Sequence, residues 1–183
     1  MSEITVTTAR LVLRRIALDD IPALHAVMSD PAAMTYWSTL PHQTIAETTA
    51  WVAATLAAVE AGEADEFAVT LDGAAIGKAG IWQGAEVGVI LSPDAWGQGY
   101  AAEALTVVIG RAFARSVNKI TADIDPRNLA SLRMFEKLGF RITGSATATF
   151  RLGEVWTDSL YLALTPGDWS ATGPRPLTDH GGG

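Results

Sequence analysis

Between Phe67 and Ile124 the apolar period of the chain changes from two to about 3.6 and back again. Phe67–Leu71, Ala75–Trp82 and Glu86–Leu91 read as strands. Asp72-Gly73 separates the first two and Gln83-Gly84 the next two, and both are hairpin turn signals. Leu105, Val108, Ile109, Ala112 and Phe113 then form one stripe of a helix, and Ile120–Ile124 returns to strand. A helix of that length between two strands implies that Glu86–Leu91 and Ile120–Ile124 run parallel, joined by a right-handed crossover.

The remaining elements fall around this unit. Arg10–Arg15 reads as a first strand. Asp19 or Asp20 caps a helix with Pro22 in its first turn, which runs through His25 to Met28 and stops at Asp30-Pro31. Thr35–Gln43 is aromatic and irregular, a loop with an apolar lining. Thr44, with Glu47 three residues on, opens a second helix through a capping box; Thr48, Trp51, Val52, Thr55, Leu56 and Val59 lie on one face, and Gly62 ends it. Asn128 caps a short helix that ends at Leu138 with Gly139 beyond it, and Phe140–Phe150 and Glu154–Leu164 are the last strands. Residues 1–170 therefore read as one α/β domain of the α+β kind, with a mixed sheet of about seven strands and about four helices. Residues 171–183, with Pro174, Pro176 and Gly181–Gly183, read as a disordered tail.

Composition narrows the function classes. The chain has 183 residues, 49% of them hydrophobic, enough for one core. Thirteen basic residues against twenty acidic ones give a net charge of −7, which argues against nucleic-acid partners and anionic membrane surfaces. A local phosphate site built from backbone N–H groups stays open. Cysteine is absent, so disulfides, thiolate nucleophiles and Cys-ligated zinc are excluded. The three histidines do not cluster with carboxylates, so no metal is expected. The longest apolar uncharged stretch is Thr48–Val59, shorter than the about twenty residues that cross a bilayer. The start, Met1-Ser2-Glu3-Ile4, lacks a basic region followed by an apolar one, and a soluble cytoplasmic protein is expected.

The chemistry concentrates in Trp96-Gly97-Gln98-Gly99-Tyr100-Ala101, between a strand and an amphipathic helix. Free N–H groups at a helix start point outward and the helix dipole adds positive charge, so a diphosphate is a natural ligand. Small residues at Gly97, Gly99 and Ala101 would let it approach the backbone. The same pattern also makes a plain strand–helix corner. No Gly-Lys-Ser/Thr follows and no Gly-x-Gly-x-x-Gly is present, so neither the Walker loop nor the dinucleotide fingerprint is met.

A second motif, Asn128-x-x-Ser131 followed by Lys137-Leu138-Gly139-Phe140, lies one helix and one strand downstream. With both in order, the sequence resembles the GCN5-related N-acetyltransferase (GNAT) superfamily. Within it, the branch most like this chain is that of the RimJ/RimL-type ribosomal-protein N-terminal acetyltransferases. The likeness runs from Thr8-Ala9-Arg10-Leu11-Val12-Leu13-Arg14 to Thr157-Asp158-Ser159-Leu160-Tyr161. The family's pyrophosphate loop reads Gln/Arg-x-x-Gly-x-Gly/Ala, and Trp96 stands here in its first position.

The resemblance implies a GNAT fold whose sheet splays at its centre, with acetyl-coenzyme A in the gap. Backbone groups of Val89, Ile90 and Leu91 would run along the pantetheine arm, and one N–H there would hold the acetyl oxygen. Trp96, Gly97, Gln98, Gly99, Tyr100, Ala101 and Ala102 would form the diphosphate loop. Asn128 would bond the pantetheine arm, cap its helix, or do both. The implied reaction is direct attack of a primary amine on the thioester through a tetrahedral intermediate. The amine is a peptide N-terminus or a small molecule. The alternative is a non-catalytic acyl-coenzyme A binding or sensing protein of the same fold.

Two proton transfers need residues. Asp123 and Glu86 are the candidate bases, or each is a carboxylate at a strand end. Many relatives carry a Glu at the position of Asp123, and the shorter side chain would act through water. Many relatives also have a Tyr seven residues after the Asn; here it is Phe135, within the cofactor-binding segment, and it has no proton to give. Ser131 is the available hydroxyl for the departing thiolate, or simply a residue in the first turn of its helix. Tyr36, Trp37, His42 and Trp156 are candidates for an aromatic wall at the acceptor site, or ordinary packing. A monomer or a homodimer is expected.

Overall fold

Asp72 and Gly73 both take positive φ, 51° and 84°, the conformation that a two-residue hairpin turn demands. They join β3 (Asp65–Leu71) to β4 (Ala74–Trp82). Gln83 and Gly84 repeat the device at φ 46° and 78°, leading into β5 (Glu86–Leu91). With β1 (Thr5–Thr7), β2 (Val12–Arg15), β6 (Ile120–Ile124), β7 (Arg141–Leu152) and β8 (Val155–Leu164), these strands form one sheet in the order β1-β2-β3-β4-β5-β6-β8-β7. The computed structural model describes residues 4–172.

Every neighbouring pair of strands is antiparallel except β5 and β6. Those two run parallel, as the crossover requires, and meet at a single Cα pair, Glu86–Thr121. Beyond that rung they part, so the sheet opens at its centre.

Among the described residues five α-helices accompany the sheet. Helix α1 (Ile21–Met28) and α2 (Ile45–Glu60) pack on one face, where Leu24 and Val52 meet Ile16 and Ala68, and Val27, Met28 and Met34 meet Ile90. Helix α3 (Tyr100–Ala114) and α4 (Leu129–Lys137) pack on the other, where Leu105, Val108, Ile109 and Phe135 join Phe67, Val69, Ile120 and Leu162 in the larger core. Alternation along β3 sends Phe67 and Val69 to one core and Ala68 to the other. Asp65, at the start of β3, is bound by Arg15, Arg111 and Arg115, which ties β2 and the end of α3 to the sheet.

Four features differ from the sequence reading. The sheet has eight strands, because Thr5–Thr7 pairs with β2; three residues are too few to display a period. The strand read at Arg10 starts at Val12, since Thr8 donates its N–H to the Leu11 carbonyl at 2.8 Å and forms a turn. A fifth helix, α5 (Pro166–Thr172), follows β8. Thr165 Oγ1 accepts from the Asp168 N–H at 3.3 Å, so Thr165-Pro166 was a helix start signal in plain sequence. Of the expected tail, 173–183 lie outside the described residues. At α2, Thr44 does cap the Glu47 N–H, at 3.4 Å, but the Glu47 carboxylate reaches back to the Gln43 N–H instead of completing a reciprocal box. No helix among the described residues is long and apolar enough to cross a membrane.

Candidate active site

The opening between β5 and β6 has a backbone edge of its own. The Thr121 N–H donates to the Ala85 carbonyl at 2.9 Å, so odd-numbered residues of β5 turn their backbone groups toward β6. By that alternation Val89 and Leu91 present N–H and C=O groups to the opening, and Ile90 bonds toward β4. One of these groups is taken: Trp96 Nε1–H donates to the Leu91 carbonyl at 3.0 Å.

Below this edge lies the glycine turn. Gly97 and Gly99 have φ of 71° and 82°, the left-handed region that L side chains rarely enter. A Cβ on Gly97 would meet nothing within 4 Å, so that face is open. The first α3 bond is Glu103 N–H to Gly99 C=O at 3.1 Å. The N–H groups of Gly97, Gln98, Gly99, Tyr100, Ala101 and Ala102 have no acceptor among the described residues. Six unpartnered donors at the positive end of a helix suit a diphosphate. Arg10 braces the turn: it donates to the Gln98 carbonyl at 2.8 Å, bonds Glu103, and lies over the Tyr100 ring at 4.5 Å.

On the α1/α2 face the opening widens into a cavity of about 370 Å³. The loop after α1 supplies Tyr36, Trp37, Ser38 and Thr39; the sheet supplies Glu66, Lys78, Trp82, Glu86, Gly88 and Asp123, and Asp125 follows β6; the last hairpin supplies Phe150, Leu152, Thr157, Asp158 and Ser159. Its floor follows one line of the sheet, since Glu66 pairs with Gly80 and Gly80 with Gly88. A Cβ on Gly80 would come within 2.6 Å of the Glu66 Cα, so glycine there lets the Glu66 side chain lie across the strand. Glu66 takes both its oxygens to Lys78 Nζ, at 3.0 and 3.1 Å, and the pair is almost fully buried. The Lys78 ammonium also faces the Trp37 ring at 5.1 Å.

Glu86 and Asp123 face each other electrostatically in this cavity. Burial raises the Glu86 carboxyl above its ordinary value, Asp123 raises it further, and Lys78 pulls it back. Burial also raises Asp123, opposed by the Ser159 hydroxyl. Glu86 keeps solvent contact at the strand start even though the cavity walls crowd its carboxylate. Neither makes a salt bridge among the described residues.

The other candidates are distributed as follows. Asn128 Oδ1 accepts from the Ser131 N–H at 3.1 Å, so the capping role is real and its NH₂ remains available. The Ser131 hydroxyl has no hydrogen-bond partner among the described residues. Phe135 is buried edge-on against Phe140, with centroids 4.9 Å apart. Tyr36 and Trp37 line the cavity; His42 and Trp156 do not. His42 turns inward because the fully buried Thr48 hydroxyl needs partners and finds His25 Nδ1 at 2.7 Å and His42 Nδ1 at 2.9 Å. Trp156 stands on the outer side of the last hairpin, 57% exposed. Sequence reasoning missed Glu66, Lys78, Trp82, Phe150, Thr157 and Ser159. For Lys78 and Trp82 the available signal was the alternation Lys78, Gly80, Trp82 continued by Glu86 and Gly88, which puts these residues of β4 and β5 on one sheet face. Among the described residues no group of three or more acidic or histidine side chains is placed to hold a metal ion.

Comparison with known proteins matches residues 10–141 to the family model described as "Acetyltransferase (GNAT) domain". Over 173 residues the chain is 27% identical to the Bacillus subtilis "Uncharacterized N-acetyltransferase YnaD", covering 90% of this chain and 99% of that protein. The solved structure of a GNAT-family acetyltransferase from Bacillus anthracis superposes with a TM-score of 0.77 at 25% identity, covering 88% of this chain and 98% of that one. Mycobacterium smegmatis RimJ, solved in complex with CoA-disulfide, superposes with a TM-score of 0.81 at 20% identity, covering 92% and 91%.

Proposed function

The chain belongs to the acetyltransferase (GNAT) family, and from that premise we propose that it transfers an acetyl group from acetyl-coenzyme A to a primary amine. The observation that carries this reading is the row of six unpartnered N–H groups at 97–102, next to the open backbone edge of β5. A diphosphate and an amide-bearing arm need those two features side by side. The chain also resembles at the level of fold a protein solved with a coenzyme A derivative.

In this reading Gly97–Ala102 hold the diphosphate, Val89 and Leu91 accompany the arm, and the Asn128 NH₂ adds a donor to it. The bound donor supplies an acyl carbon activated as a thioester. An N–H of the β5 edge stabilises charge on the acyl oxygen. The acceptor arrives in the cavity as an ammonium and loses two protons. One leaves through Asp123, by way of water, and the other ends on the departing thiolate. The new bond is N–C and the broken bond is C–S. Raised carboxyl values at Asp123 and Glu86 bring both groups nearer the range in which a base works at neutral pH. Ser131, whose hydroxyl is free, hydrogen-bonds the thiolate.

Equilibrium binding of acetyl-coenzyme A by calorimetry, with ATP and NAD as controls, tests the donor site. Selective binding followed by amine-dependent thiol release supports the reading, and a chain without cysteine adds no thiol background. Absence of binding would reduce the turn at 96–101 to a strand–helix corner.

One observation favours a second reading. Phe135 lies in the core against Phe140 and offers no proton where many relatives carry Tyr. A non-catalytic acyl-coenzyme A binder would show donor binding without turnover, and Ser131→Ala would change nothing measurable.

A further inference from the structure

Carboxylates and ring faces line the cavity in pairs, and two of those pairs already hold a cation of the protein itself. Glu66 and Trp37 hold the Lys78 ammonium, at 3.0 Å from the carboxylate and 5.1 Å from the ring centroid. At the mouth, Asp125 and Tyr36 hold Arg127, whose Nε–H donates at 2.9 Å and whose guanidinium lies 5.9 Å from the ring centroid. A third pair has the same composition. Glu86 stands directly opposite Trp82 across the β4–β5 ladder, both side chains line the cavity, and Asp123 lines it beside them. No basic side chain among the described residues forms an ion pair with Glu86 or Asp123. Lys78, the nearest cation, is engaged bidentately by Glu66.

We propose that this third pair receives a cation of the acceptor, and that the acceptor is an α,ω-diamine with an apolar spacer. This rests on the acetyl-transfer reading above and names its substrate class. The charge count leads there. Beside the paired Glu66 and Asp125, the cavity is lined by Glu86, Asp123 and Asp158, none of which forms an ion pair among the described residues. A monoamine brings one positive charge and gives it up as it reacts, one proton going to Asp123 and one to the thiolate, so that Glu86 is left unbalanced. A diamine keeps its second ammonium throughout, against Glu86 and the Trp82 face, the arrangement in which the protein holds its own Lys78. Trp51, Ala54, Phe150 and Leu152 line the same cavity with apolar surface for the methylene chain. The volume of about 370 Å³ suits a small extended molecule.

The test uses the full chain saturated with coenzyme A for binding, and with acetyl-coenzyme A for thiol release. Diaminobutane and diaminopentane are compared with butylamine, pentylamine and a neutral N-terminal peptide amide. The expected result is a Kd and KM for the diamines about tenfold or more below those for the monoamines. Trp82→Leu and Glu86→Gln should each erase most of that advantage through KM while leaving coenzyme affinity unchanged. Equal constants for diamine and monoamine, preference for the neutral peptide, or an advantage that survives both substitutions would overturn the proposal. Selective diamine binding without turnover of any amine would sink the acetyl-transfer reading, and with it the acceptor role, and leave standing only the assignment of Glu86 and Trp82 as a cation site. Turnover of monoamine and diamine alike would do the reverse.

Discussion

The guanidinium of Arg10 donates to the carbonyl of Gln98 at 2.8 Å, fastening the segment before β2 to the middle of the glycine turn. The same side chain bonds Glu103 in the first turn of α3 and covers the Tyr100 ring. The turn is therefore held in shape from outside.

Arg10→Met keeps the stem over Tyr100 and removes these bonds. Because Arg10 is nearly half exposed, the effect on stability should be about 1 kcal/mol or less. The effect on acetyl-coenzyme A affinity should be larger, about tenfold, since a looser turn must be ordered on binding. Calorimetry alongside urea unfolding separates the two, and an unchanged Kd would remove Arg10 from the site.

Gly99→Val places a β-branched residue at φ 82° and adds bulk where the ligand approaches. The backbone penalty is about 1–2 kcal/mol. Acetyl-coenzyme A binding should disappear from the calorimetric window while the far-ultraviolet circular dichroism persists.

Gly110→Ala is the contrasting glycine. It lies inside α3, and an added Cβ there meets nothing within 4 Å. The substitution should stabilise the protein by roughly 0.5–1 kcal/mol in denaturant unfolding, with donor affinity untouched.

Asp123→Asn should lower kcat and leave donor binding nearly intact. Burial holds the Asp123 carboxyl above its ordinary value, so its working anionic form is lost as pH falls through that raised value. The wild-type rate should therefore decline on the acid side earlier than an ordinary carboxylate would dictate, and the Asn variant should lose that limb. Identical pH–rate profiles for the two proteins would dismiss Asp123 as the proton acceptor.

Asp65→Asn concerns stability alone. Burial by itself would raise this carboxyl, but Arg15 and Arg111 bond its ionised form and hold it below the ordinary range. A depressed value contributes stability above the unfolded pKa, and that contribution fades as pH falls through the folded one. At neutral pH the variant should be less stable by roughly 2–4 kcal/mol, because three arginines lose their shared partner. The gap between the two proteins should close as the medium is made acid.

Local chemistry in the chain announced most of the frame. Asp72-Gly73 and Gln83-Gly84 demand hairpins whatever surrounds them, and the α3 stripe between two strands demands a crossover. The glycine turn was legible for the same reason, because its φ values are imposed by residues in one short run. The cavity was less so. Trp82 and Glu86 face each other only through the β4–β5 register, and Glu66 reaches Lys78 only because Gly80 leaves room beneath it. His42 misled for a related reason: its partner, Thr48, lies on another element, and the hydroxyl's burial decided where the imidazole went. Pairings across elements leave alternation in the sequence but not the identity of the face or of the partner.

The lone rung between Glu86 and Thr121 also bears on how the molecule assembles. Strands β1 and β2 pair through a short loop, as do β3, β4 and β5, and β2 reaches β3 across α1 and α2. β6, β7 and β8 form their own set beyond α3. Joining the two sets requires α3 to bring distant residues together for one parallel contact, and the core beneath must complete the docking. The entropy of that closure falls on a single step. The place where the sheet is thinnest is thus also where two sets of strands are held together mainly by the core beneath them, and one gap in the ladder bears on both the binding cleft and the way the chain comes together.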